Sequence, residues 1–159
     1  MTKGQFIADR LREVYLNGKW IANTNYKEQL LSINWQQATQ KIESLNTIAA
    51  LTFHINYYLQ GLLPVLNGGK LEISDKFSFD LPQIQSEKDW NKLVNEFLFN
   101  AEKFADRVEK LSDKDLNKIF VEEKYGTYQR NVEVVIEHSY YHLGQISLIK
   151  KMIQGNNSN

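Results

Sequence analysis

The 159-residue chain contains no cysteine. That absence excludes disulfides, thiolate metal ligands and a cysteine nucleophile of the protein's own, and it fits a reducing cytoplasm; any thiol chemistry needs a thiol brought by a substrate. An excess of charge of either sign is missing too. Nineteen basic residues balance nineteen acidic ones, and the lysines are scattered among the acids, which argues against a nucleic-acid partner. No uninterrupted apolar run reaches spanning length, because His54, Asn56 and Gln60 break up the most hydrophobic stretch. Neither a membrane span nor a signal peptide is expected. No glycine-rich phosphate loop occurs, and Gly68-Gly69 reads as a helix stop.

What is present is helical periodicity with helical punctuation. At this length one domain over residues 1–159 is expected, with residues 155–159 a frayed tail. Thr2-Lys3-Gly4-Gln5 resembles a capping box ahead of helix one, Phe6 to Leu16, which Asn17-Gly18 ends. Residues 19–33 read as loop with one helical turn near Lys27 to Leu31. Asn34, with Gln37 three residues on, caps helix two, expected to run unbroken to about Leu66, where Asn67-Gly68-Gly69 stops it. Lys70 to Gln85 is either a brief extended segment or an ordered crossover. At about 3.3 Å per extended residue it is long enough to return the length of a helix, so helices two and three can be parallel. Helix three starts at Ser86 and carries Trp90, Leu93, Val94, Phe97, Ala101, Phe104 and Val108 on its inward face; Ser112 to Asp115 restarts a short turn. Helix four runs from about Tyr128 to Ile153. Its core stripe is expected to hold Val134, Val135, His138, His142, Gln145, Ile146, Ile149, Met152 and Ile153.

The three histidines are His54, His138 and His142. His138 and His142 are one helical turn apart and project from one face, so both imidazoles can reach a single cation; His54, in helix two, can complete the set. A single histidine on a core stripe is usually an ordinary buried side chain. Two on one turn are harder to accommodate. Neutral imidazoles packed side by side need partners for every ring nitrogen, protonated ones repel, and a shared divalent cation removes the conflict. His138-Ser139 does not open a His-Glu-x-x-His motif, and no Glu-x-x-His precedes any of the three histidines. Zincin-type and di-iron carboxylate sites are therefore excluded, leaving a mononuclear centre.

The order of one histidine in helix two, then His138-Ser139-Tyr140-Tyr141-His142-Leu143-Gly144-Gln145 in helix four, resembles the DinB-like bundle proteins of the DinB/YfiT superfamily. Gly18-Lys19-Trp20, Asn25-Tyr26-Lys27-Glu28-Gln29-Leu30 and Ala50-Leu51-Thr52-Phe53-His54 resemble them as well. The resemblance implies an all-α four-helix bundle, up-down-down-up with a long crossover between helices two and three, and a homodimer. It implies one divalent metal on His54, His138 and His142, zinc or nickel first and iron or manganese after them. Relatives include thiol-dependent S-transferases and isomerases that use low-molecular-weight thiols.

Three neutral imidazoles leave a metal with open positions and its full charge, the arrangement of a catalytic site. The first reading is a metal-dependent transferase or hydrolase acting on a small molecule, with a low-molecular-weight thiol as the candidate co-substrate. Tyr58, Asn131 and Gln145 fall near the histidine faces as candidate substrate-lining residues, and no general base is assigned. The alternative is a non-catalytic, stress-associated metal-binding bundle acting through its dimer surface. Access separates the two: a pocket open above the histidines favours the enzyme, a site sealed by tyrosines and leucines the interaction protein.

Overall fold

The computed structural model of the chain describes residues 1–156, the side chain of Asn156 excepted. Among the described residues it is all-α. Its helices are α1 (Lys3–Arg12), α2 (Tyr26–Leu31), α3 (Trp35–Thr39), α4 (Ile48–Leu66), α5 (Glu87–Glu109), α6 (Asp113–Leu116) and α7 (Tyr128–Asn156). The only extended pairing among the described residues is an isolated bridge between Ile119 and Thr127. No helix among them is long and apolar enough to cross a membrane.

Most helix starts follow the local capping chemistry. Thr2, Asn34 and Ser112 each close a reciprocal box with the residue three positions on, Gln5, Gln37 and Asp115. These bonds satisfy backbone donors that the first turn leaves without partners. Helix two differs from expectation, because it is two helices. Gln40 turns extended at the end of α3, Glu43 takes a positive φ of 45°, and Thr47 caps α4 through the backbone N–H of Ala50. The break lets Ile42 pack on the core while Ile48, Ala49 and Leu51 begin a fresh buried face. Helix α1 also continues as a π-helical turn, Glu13–Asn17, whose wider winding buries the adjacent Val14 and Tyr15 together. Of the expected tail, Gly155 and Asn156 complete the last turn of α7, and residues 157–159 lie outside the described residues.

The long helices meet through a shared core. α5 packs along α4 and α1, and α7 lies against α4 and α1. Tyr15, Tyr26 and Phe97 form its aromatic centre, with ring centroids 5.2–5.6 Å apart. The Trp90 indole donates to the Ile33 carbonyl. Arg12 reaches across from α1 to Asp106 and Glu109 of α5, at 2.8 and 2.6 Å. At α4, Gly68 ends the helix with φ +87°, and Gly61 lets the crossover come down on the helix, since a Cβ there would strike the Ile73 side chain. The crossover itself holds a short 3₁₀ turn, Asp75–Phe77.

The stripe of α7 is rotated from the one expected. Val132, Val135, Ile136, Ser139, His142, Leu143, Ile146, Ile149 and Ile153 are buried, whereas Val134 and Met152 are exposed. α7 is covered by α4, α1 and α2 together, and its buried arc centres one residue away from where composition alone puts it. This places His138 at the edge of the stripe, half-buried, rather than in its middle.

Candidate metal centre

α4 and α7 bring together side chains that are 84 positions apart in the chain. The Nε2 atoms of His54 and His138 lie 3.2 Å from each other, and those of His138 and His142 lie 2.9 Å apart. All three candidate ligand atoms fall within 4.8 Å of one another. Far from the centre, the Nδ1 edge of His54 faces the Ser78 carbonyl at 3.3 Å, and that of His142 faces Gln145 Oε1 at 2.6 Å. Gln145 is held in that sense because its Nε2 donates to the Tyr141 hydroxyl.

Those outer bonds decide the protonation pattern. With carbonyl acceptors at Nδ1, neutral His54 and His142 carry their proton there and turn bare lone pairs inward. His138 can donate its Nε2 proton to only one of them. One of the two short N···N contacts is then lone pair against lone pair, unless a cation sits among them. The set fits a divalent metal on its own chemistry: three inward lone pairs, with the outer N–H groups of two imidazoles anchored on oxygen, as metal-binding histidines require.

Burial keeps the imidazoles neutral and so ready to bind. It depresses His54 to about 4, with the neighbouring His142 and His138 adding to the effect. The same burial lowers His138, again with His142 contributing, and lowers His142, which the Gln145 bond partly restores. His54 is further fixed by two rings: Phe79 of the crossover stacks on it at 4.1 Å and 12°, and Tyr58 of its own helix meets it edge-on at 5.1 Å.

Beside His138 opens a cavity of about 580 Å³. Its walls are Ile55, Tyr58 and Leu62 from α4, Leu71, Ile73, Ser74 and Asp75 of the crossover, Phe120 and Tyr125, and Asn131, Val134, Val135 and Ser139 from α7. Tyr58 and Asn131 thus stand on its wall, whereas Gln145 stands behind His142. Deep in the cavity the proton order is closed. Ser139 donates to the Val135 carbonyl at 2.6 Å and so accepts from Tyr15, 2.5 Å away. Burial holds the Tyr15 phenol far above its ordinary range, which makes it a fixed donor rather than a base.

The sequence carried no signal for Ser78, Phe79 or Asp75 as neighbours of the histidines. The alternation Phe77-Ser78-Phe79 points to an extended chain, but nothing in it points to residue 54. Comparison of the chain with family models matches the DinB superfamily over residues 29–146, a span that includes all three histidines and Gln145. Comparison with curated proteins and with solved structures gives no match.

Proposed function

The chain belongs to the DinB superfamily, and from that membership and its converging imidazoles we propose a mononuclear metal-dependent enzyme, a thiol S-transferase or hydrolase acting on a small molecule. His54, His138 and His142 hold the ion, with zinc or nickel as the first candidates. The observation that carries the reading is the cavity beside His138, because a purely structural metal would have no use for 580 Å³ of reachable space at its ligand. Bound there, a divalent cation supplies the Lewis acidity that makes a nucleophile of a water or a thiol at neutral pH.

The chain's own residues do the rest. Ser78 and Gln145 orient two of the imidazoles, Phe79 screens His54 from water, and Tyr15 and Ser139 stay neutral and close the cavity floor. With no cysteine in the chain, the thiol of a transfer reaction belongs to a co-substrate. The proposal extends to architecture: α1, α4, α5 and α7 as a four-helix bundle, up-down-down-up with the crossover between α4 and α5, one domain over residues 1–159, paired as a homodimer in the cytoplasm.

A thiol-profiling screen of metal-reconstituted protein tests the reading. About one divalent ion per chain and a thiol-consuming or hydrolytic activity that disappears in His142→Ala are expected. Activity that survives in a variant unable to bind metal would overturn it.

A further inference from the structure

The cavity has a charge inventory of its own. Among the described residues on its wall there is no lysine and no arginine, and Asp75 is the one acidic residue. Asp75 Oδ1 accepts from the Tyr58 hydroxyl at 3.0 Å. The second carboxylate oxygen is left for a ligand. Asn131 spends its Nδ2 on the carbonyls of Tyr125 and Thr127, both at 2.8 Å, so Oδ1 is its remaining hydrogen-bonding atom. Tyr58 and Tyr15 already direct their protons at protein oxygens. Asp75 and Asn131 therefore offer acceptors and the hydroxyls of Ser74 and Tyr125 can serve either way, set in a surface made by Ile55, Leu62, Leu71, Ile73, Phe120 and Val135.

We propose that this cavity selects an apolar small molecule bearing an amino group, which Asp75 accepts with Tyr58 holding the carboxylate in place, and that it disfavours molecules bearing a carboxylate or phosphate at that position. The reasoning is complementarity. An anion beside Asp75 would meet a carboxylate with no lysine or arginine on the wall to offset it, whereas an ammonium would find a carboxylate oxygen beside an apolar wall. The inference rests on the proposed function for the reactive end of the substrate, and it specifies the other end: among thiols, aminothiols are favoured over carboxylated ones.

The test uses 3-phenylpropylamine, 3-phenylpropanol and 3-phenylpropionate as probes of one shape and three charges, titrated calorimetrically into metal-loaded wild type and Asp75→Asn. Asp75 is exposed on the crossover, so its amide should leave the helical signal and melting unchanged. The amine should lose roughly tenfold or more in affinity in Asp75→Asn, as expected for one charge-assisted hydrogen bond. The alcohol should change little, and the carboxylate should hold or gain. Equal change for amine and carboxylate, or no change for either, would overturn the proposal. The comparison is made between two proteins with the same metal, so direct binding of a probe to the ion cancels. If neither protein binds metal but the amine still depends on Asp75, the metal-dependent function fails and the charge selection stands.

Discussion

Replacing His142 by alanine separates a ligand from a packing residue, because the side chain is nearly buried and belongs to both descriptions. Without metal, the change opens a gap whose usual cost is about 1 to 3 kcal/mol. Two features put this case at the low end. Removing the ring also removes the unfavourable lone-pair contact, since the His138 proton then serves His54 at 3.2 Å. The orphaned Gln145 amide is reachable by water, as its bond to Tyr141 is exposed. With metal, the wild type gains binding energy that the variant lacks: about 2.7 kcal/mol at a free concentration one hundred times the dissociation constant. At roughly 2 to 4 °C per kcal/mol for a chain of this size, zinc should raise the wild-type melting temperature by about 5 to 10 °C. It should leave His142→Ala almost unmoved. In chelator the two proteins should melt within a few degrees of each other. The assay is thermal unfolding by circular dichroism, with and without zinc, on both proteins. An equal zinc-induced rise in both would show that the ion binds elsewhere and would refute the three-histidine centre.

Three further outcomes follow from the same geometry. Chelation should leave the helical circular dichroism of the wild type intact at room temperature, since the core of α1, α4, α5 and α7 is apolar and continuous; loss of helix would identify a structural metal. Gln145→Leu should fold normally yet bind metal about 10- to 100-fold more weakly, because the acceptor that holds the Nδ1 proton of His142 is gone; isothermal titration with zinc measures it, and unchanged affinity would deny Gln145 a positioning role. The metal-free protein should lose stability as pH falls from about 6.5 towards 4. His54, depressed to about 4 in the fold, takes up a proton on unfolding in that window, so acid favours the unfolded chain, by at most about 3 kcal/mol from this residue. Urea denaturation at pH 7 and pH 5 reads this directly, and equal midpoints would contradict it.

Local chemistry was legible in the residues themselves. The boxes at Thr2, Asn34 and Ser112, the stop at Gly68 and the inward face of α5 depend on side chains within four positions of one another, so their spacing suffices to read them. The pairing of His138 with His142 is of the same kind, one turn on one helix. The junction at residues 40–47 was not legible, because it contains neither glycine nor proline, and the break goes with packing both Ile42 and Ile48 on the core. The hint was Thr47, a capping residue directly before an apolar run.

The amino-acid sequence by itself determined which atoms are available: three imidazoles and no thiol, one glutamine a turn beyond the last histidine, and helices long enough to carry them. Only the tertiary structure decided that His54 meets the other two, that Ser78 and Phe79 anchor it, and that Asp75 and Asn131 look into one cavity. Helical periodicity reports which side of a helix faces inward. It carries no information on how two helices are turned against each other or where a crossover comes to rest. Those are settled by burying the faces of α4, α5 and α7 together, with Gly61 yielding to Ile73, and the metal site takes its shape from that packing.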